Sequence, residues 1–508
     1  MAGETPRTIR LYNTLTQSLE VFEPLVPGVV KMYVCGSTTQ DVAHAGHART
    51  YSTFDILSRH LRARGFAVTY VRNVTDVDDK ILARAKQLGE DPLTFSARMA
   101  KTHDEDIRAV GCARPEFEPK VSESIGDIIA IIETLIAKGH AYPAATEKGT
   151  DVYFSVRSFA AYGKLSHRNI DDLLSGARIE VGEIKKDPLD FALWKGSDAE
   201  TWGWDSPWGR GRPGWHIECS AMAKKLLGDH FDIHCGGMDL IFPHHENEIA
   251  QSEAAFGPPF ARYWLHGGFL NIDSEKMSKS LGNFVTVRDV LARNDAEALR
   301  YFFLGAHYRG PINFDVEKLD GGRVIFPSLD EAERRIEYLY TTRDAAIAAA
   351  AGAAPSVDGA PAILGEATER VLDAMDKDLN TTVALSVIAE LAKAMNDLTL
   401  QIGKLKKDPT AQARARGHAA AAVTTLAECC VPLGLMLASA DEFATRTRER
   451  RLKIRGLDPA AIDAKVVERT DARAAKDFAR GDAIRAELSA LGVELLDATG
   501  VTSWRVVI

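Results

Sequence analysis

Residues 33–47 read YVCGSTTQDVAHAGH, and this stretch decides the fold. The apolar, β-branched run around it, with Val29, Val30, Met32 and Val34, predicts a buried strand that stops at Cys35-Gly36. A polar loop then leads to His44-Ala45-Gly46-His47 and a helix whose apolar residues include Phe54, Ile56, Leu57 and Leu61. A second strand, Ala67–Val71, follows at once. Strand, helix, strand predicts a parallel sheet with a right-handed crossover, and ligands gather at the carboxyl ends of such strands. A helix beginning there offers unpaired N–H groups and a positive dipole end, so His44, Gly46 and His47 suit phosphate oxygens. Thr75 and the acidic residues after it follow the second strand and are expected to face the same crevice as Cys35 and His44.

The chain has 508 residues, which suggests about three domains. No apolar run reaches roughly 18 residues, and the start MAGETPRTIR lacks the apolar core of an export signal, so the expectation is a cytoplasmic protein with no membrane role. Six cysteines are too sparse to staple a chain of this length, which favours free thiols or metal ligands. Net charge is −9, so a polyanion has to be held by a local basic surface. Arg446–Arg455, RTRERRLKIR, is one candidate, and a solvated linker face is the equal alternative.

The fold class is α/β: a Rossmann-like parallel-sheet catalytic domain with an insertion, then an α-helical bundle and a small mixed C-terminal domain. The expected boundaries are 1–325 with the insertion at about 122–200, 326–440, and 441–508. Ser122–Lys138 is strongly periodic, Trp202–Gly214 reads as loop, and Ala351–Pro361 is a natural linker. Near the end, Arg469 to Arg485 reads as a basic helix carrying Phe478.

The densest set of ligand-bearing residues is Phe242-Pro243-His244-His245-Glu246-Asn247-Glu248. A helix starting at the proline puts His244 and Glu248, four apart, on one face. Cys35 and Cys219, both beside expected crevice loops, would complete a set of two thiols, an imidazole and a carboxylate suited to Zn2+. An ordinary surface His/Glu pair is the bland alternative, and Cys235 is a rival ligand that spacing leaves open. Trp215 reads equally as core aromatic or pocket wall. His44-Ala45-Gly46-His47 and Lys276-Met277-Ser278-Lys279-Ser280 are each weak alone. In this order, with the sheet pattern between them, they describe two sides of an ATP site, histidines on one and lysines closing from the other.

The pieces MYVCG, HAGH, RNVTDVDDK, GRPGWHIECSAM, FDIHCGGMDLIFPHHENEIAQS and EKMSKSLGNF stand in one order along the chain. Together they resemble the cysteinyl-tRNA synthetases, over nearly the whole sequence and most densely over 30–310. The resemblance implies a class I catalytic domain, a connective insertion, a helical stem and an anticodon-binding unit. It implies that cysteine and ATP give cysteinyl-adenylate and pyrophosphate, after which cysteine passes to the terminal ribose of tRNA(Cys). Zinc ligands are implied at Cys35, Cys219, His244 and Glu248, which sets Cys235 aside. Thr75 and Trp215 are implied in the amino-acid pocket. His44, Gly46, His47, Lys276, Ser278 and Lys279 are implied to bind ATP with Mg2+, with His44, His47, Lys276 and Lys279 catalytic. A monomer is the expected state. The sequence departs from the family at Ala45, usually isoleucine, and at Ser37-Thr38-Thr39-Gln40.

A metal has a reason to be there. Apolar pockets separate near-isosteres such as cysteine and serine by only about 10–200-fold. Zn2+ binds thiolate and favours its deprotonation, whereas an alcohol is a poorer ligand, so no editing domain is needed. Two other readings remain: a cysteine ligase of mycothiol biosynthesis acting on an amino sugar, and a non-catalytic tRNA- or zinc-binding regulator. The C-terminal units argue against the first, and two intact ATP signatures against the second. Removing 441–508 is expected to damage tRNA charging and to spare adenylate formation.

Overall fold

Alternation along one strand sets the layers of the protein. In the computed structural model, which describes residues 8–169, 184–198, 201–272, 275–276, 284–319, 324–498 and 501–507, residues Val29–Val34 form a strand. Side chains alternate across it, so Val30, Met32 and Val34 join one core while Tyr33 and Cys35 face another. The first core runs on without a break into the helices downstream, through Ile336, Leu391 and Leu426. The second is shared with the insertion, through Phe154 and Trp194.

Four strands pair in the order Ala261–Gly267, Phe231–Gly237, Val29–Val34, Ala67–Arg72, and every neighbouring pair is parallel. The chain leaves Val29–Val34 to build one side of the sheet and returns much later to build the other. The strand order therefore reverses between Val29–Val34 and Phe231–Gly237, and the crevice outside the carboxyl ends of these two strands is where such sheets bind ligands.

The intervening chain holds an antiparallel sheet of Ala141–Thr146, Gly149–Phe154, Phe191–Gly196 and Gly211–Pro213. Trp202–Gly214, expected as loop, thus ends in a short strand, because Gly211–Pro213 pairs with Trp194–Gly196. Downstream, helices Pro327–Ala350, Ile363–Met375, Thr381–Lys404 and Pro409–Cys430 pack on one another, with Cys429 and Cys430 buried in the last. Helices Ala440–Arg455, Pro459–Ala474 and Phe478–Ala490 precede a hairpin of Val493–Ala498 and Val501–Val506. Ile484, Leu488 and Trp504 centre the small core there. No described helix is long and apolar enough to cross a membrane.

Two expectations about basic segments need correction. The single basic helix over Arg469–Arg485 is two helices, broken near Lys476, whose φ is +63°. Arg469 is buried and holds the Asp497 carboxylate with two bonds of 2.9 Å. Only part of the Arg446–Arg455 run is an open basic face: Arg448, Lys453 and Arg455 are exposed, whereas Arg446, Arg450 and Arg451 bond to acidic residues on other elements, which would otherwise be buried without a counter-charge.

One glycine fixes how the Val29–Val34 and Ala67–Arg72 strands end. The Gly36 amide donates to Asn73 Oδ1 at 2.7 Å, and a Cβ added at Gly36 would lie 1.6 Å from the Asn73 carbonyl oxygen. Gly36→Ala is therefore expected to destabilise the protein by at least about 1–3 kcal/mol, as overpacking does. Urea unfolding checks this; an unchanged midpoint would show that the two loops need not approach so closely.

Candidate metal and nucleotide site

A cleft of about 470 Å³ opens at the point where the strand order reverses, lined by Cys35, Gly36, Gly237 and Gly267 from strand ends. His44, Gly46 and His47 form another wall, and Trp215 borders it.

The histidine wall is built by helix capping. His44 is the N-cap of helix Ala45–Ala63: its Nδ1 accepts from the His47 amide at 3.2 Å, and His47 Nδ1 accepts from the His44 amide at 3.4 Å. This reciprocal cap stacks the two rings, with centroids 3.5 Å apart. The Ala45 amide is also taken, by the Val285 carbonyl at 3.0 Å. The helix start thus offers fewer open donors than its position suggests, and the Gly46 amide is the first-turn donor in the cleft wall. Glycine there leaves room for an oxygen to approach.

Next to the cleft, which Cys35 lines, donor atoms of Cys35, Cys219, His244 and Glu248 lie within 4.8 Å of one another, and all four residues are buried. Three separate pieces of chain deliver them. Cys35 follows the Val29–Val34 strand, and Cys219 sits in helix Trp215–Leu227. His244 is in the irregular turn Ile241–His245, and Glu248 is in helix Glu246–Phe256. The sulfurs of Cys35 and Cys219 are 3.8 Å apart, Cys35 Sγ is 3.4 Å from Glu248 Oε1, and His244 Nε2 is 3.0 Å from the same oxygen. The 3.8 Å spacing equals the edge of a tetrahedron with metal–sulfur bonds of about 2.3 Å.

The electrostatics also describe a cation site. Its hydrogen bond with Cys35 holds the Cys219 thiol down at about 6, against the opposing effect of burial. Burial penalises a charge on Glu248, but His234 and His244 outweigh it and hold the carboxyl well below its usual range. Burial likewise disfavours an imidazolium at His244, yet Glu248 and Cys219 raise it to about 10. The buried groups around His244 thus favour positive charge at this point. Donor types, spacing and charge all fit a metal, and the cluster can hold one.

A second set, Cys35, His234, His245 and Glu248, also lies within 4.8 Å, and it shares two members with the first. His234 Nε2 is 2.7 Å from Glu248 Oε2, and its ring stacks on Trp264 at 4.5 Å. His245 Nε2 is 3.3 Å from Cys35 Sγ, and its Nδ1 is 2.8 Å from His266 Nε2. Reading by residue spacing missed His234 and His266, which stand inside apolar strands; a polar ring on a buried strand was the available signal. Cys235 is buried in the Phe231–Gly237 strand and belongs to neither set.

Other expected residues divide. Trp215 is 41% exposed, and its ring lies 4.2 Å from that of His244, so it acts as pocket wall. Thr75 is buried against the Ser37–Thr39 loop, where its hydroxyl donates to Glu218 Oε2 at 3.2 Å. Lys276 belongs to a short strand with Glu275 that pairs with Asn271–Ile272. Ser278 and Lys279 lie outside the described residues. In the Pro243–Glu248 stretch, Glu246 serves another purpose, since its carboxylate accepts from the Gly163, Leu165 and Ser166 amides and anchors the insertion.

Comparison with known proteins agrees with this geometry. Residues 21–323 match the family described as tRNA synthetases class I (C) catalytic domain, and residues 370–438 match the DALR domain. A cysteine–tRNA ligase of Anaeromyxobacter sp. (strain Fw109-5) is 50% identical over 98% of this chain and 99% of its own. That of Geobacter sulfurreducens is 48% identical over the same shares. Among solved structures, a Mycobacterium tuberculosis methionyl-tRNA synthetase in complex with methionyl-adenylate shares the fold. Its TM-score is 0.61 at 17% identity, over 85% of this chain and 94% of that one. By near full-length identity and by its catalytic domain, the chain belongs to the cysteine–tRNA ligases, a family of class I aminoacyl-tRNA synthetases.

Proposed function

We propose that this chain activates cysteine with ATP, releasing pyrophosphate, and passes cysteine from the adenylate to the 3′-terminal ribose of tRNA(Cys). One observation carries this reading: two thiols, an imidazole and a carboxylate converge in one buried cluster, and its Cys35 lines a cleft walled by the capped His44–His47 turn.

Cys35, Cys219, His244 and Glu248 are the ligands of one Zn2+ in this reading, supported by the 3.8 Å sulfur spacing. Bound there, Zn2+ supplies a Lewis acid that takes a thiolate far more readily than an alcohol, which separates cysteine from serine at binding. His234 fixes the second oxygen of Glu248, and His245 fixes Cys35, so the ligands are held by outer partners. Trp215 and Thr75 complete the amino-acid pocket, Trp215 as a wall over His244 and Thr75 as support for the loop after Cys35.

The substrate carboxylate attacks the α-phosphate, and pyrophosphate leaves. His44, His47 and the Gly46 amide hold the phosphates from one side, and Lys276, Ser278 and Lys279 from the other, with Mg2+ accompanying ATP. A ribose hydroxyl then displaces AMP. Residues 1–325 carry this chemistry with the insertion at 122–200, 326–440 form the stem, and 441–508 engage the tRNA. The enzyme acts as a cytoplasmic monomer in this reading; the cytoplasmic assignment draws support from all six cysteines being free, as in a reducing compartment.

Purified protein is expected to hold one zinc per chain by elemental analysis and to catalyse cysteine-dependent pyrophosphate exchange; no exchange with cysteine would sink the reading. Charging of tRNA(Cys), against no transfer to glucosaminyl-inositol, identifies the acceptor. Cys219→Ser is expected to lower zinc content. It should also raise KM for cysteine by at least about 10-fold, because disturbing even an outer partner of a ligand costs about 10–100-fold. Unchanged zinc content and cysteine KM would remove Cys219 from the ligand set.

A further inference from the structure

The helix Ala440–Arg455 reaches across to the catalytic part of the chain. Arg446 grips the Asp295 carboxylate with both arms of its fork, at 2.8 and 3.0 Å, and reaches Glu297 at 3.1 Å. Arg450 bonds to the Arg293 carbonyl at 3.1 Å, to Asp295 at 3.1 Å and to Glu333 at 2.7 Å. Asp295 is 2% exposed, so these are not the screened surface pairs that contribute little. A buried carboxylate with two guanidinium partners tolerates few alternative positions.

What these arginines hold leads straight to the cleft. Asp295 ends a segment that begins at Phe284 and contains the short helix Val287–Leu291. At its far end Val285 accepts from the Ala45 amide at 3.0 Å, and the Val287 amide donates to the Ala43 carbonyl at 2.9 Å. These two bonds clasp the backbone on either side of His44. Phe284 meets the His44 ring edge-on at 5.2 Å, and both line the cleft. Midway, Arg288 bonds to Asp106 at 2.8 Å. The segment is thus pinned at the nucleotide wall, along its length, and by the arginines of a helix near the chain terminus.

Attachment alone does not require these ion pairs. Phe443 of the same helix stacks on Tyr340 of the stem at 4.1 Å and 8°, which fastens the helix by apolar contact. The arginines add direction. We propose that Arg446 and Arg450 are positioning residues for the ATP half of the cleft: through Asp295 they set the Phe284–Asp295 segment, and with it Phe284 and His44. This rests on the ATP-binding reading of the His44–His47 wall. Arg451 extends the junction by holding the Val506 carbonyl at 2.8 Å, so the last hairpin is tied to the same group of carboxylates. Removing residues 441–508 is therefore expected to disturb adenylate formation as well as tRNA charging, where the sequence alone led to the expectation that adenylate formation is spared.

The test uses the full-length, metal-loaded enzyme in cysteine-dependent pyrophosphate exchange without tRNA, with melting temperature measured alongside. Asp295→Asn is the informative variant. Asp295 caps helix Ala296–Leu304 by accepting from the Glu297 amide, and asparagine keeps that cap while removing the charge. Asp295→Asn and the double variant Arg446→Met/Arg450→Met are each expected to raise KM for ATP or lower kcat. The expected size is roughly 2- to 30-fold, the range of such couplings, with KM for cysteine unchanged. Combining them should add little to either alone. Unchanged ATP kinetics, or a fall in kcat matched by loss of folded protein, overturns the proposal even if the arginine variants fold poorly, because Asp295→Asn remains decisive. Wild-type protein without exchange activity would instead reject the functional reading itself.

Discussion

A carboxylate taken out of water needs partners, and the buried Glu248 finds them in several distant parts of the chain. One oxygen lies 3.0 Å from His244 and 3.4 Å from the Cys35 sulfur, and the other lies 2.7 Å from His234. Desolvating an unpaired carboxylate would cost more than the net stability of a typical domain. This buried cluster therefore forms only when the Val29–Val34 strand, the Phe231–Gly237 strand and the helix after Pro243 are all in register. That condition ties the recognition chemistry to the fold, because the same alignment brings the strand ends together.

The sheet then supplies what a metal cluster cannot. Reversal of strand order opens the crevice, and Cys35 and Gly237 reach its rim as the residues that end neighbouring strands. Alternation along Val29–Val34 assigns one face to the core shared with the stem and the other to the core shared with the insertion. The Cys/His/Glu cluster sits on the insertion side, and the His44–His47 turn on the helix that packs toward the stem.

Much of this was legible locally. The Val29–Val34 strand and the helix after His44 follow from periodicity, and the four-residue spacing of His244 and Glu248 correctly places both on one site. The helix begins at Glu246, however, after an irregular turn, so the shared direction arises from that turn as well as from helical spacing. His234 and His266 were not picked out, since a histidine in an apolar strand carries no sign of whether it completes a hydrogen bond or backs a ligand. Arg446–Arg455 misled for the opposite reason: a run of like charges looks like a surface when its counter-charges lie elsewhere in the chain.

Sequence alone determined the order of elements, the parallel sheet, the residue types at the cleft and the family, because periodicity and motif spacing are properties of neighbouring residues. Tertiary structure decided which histidines pair with Glu248 and Cys35, how the reciprocal cap occupies amides of the His44 turn, and that Arg446, Arg450 and Arg451 turn to carboxylates on other elements. The first and last of these depend on pairing between groups remote in sequence. Burial makes such pairing obligatory, but no local pattern names the partner.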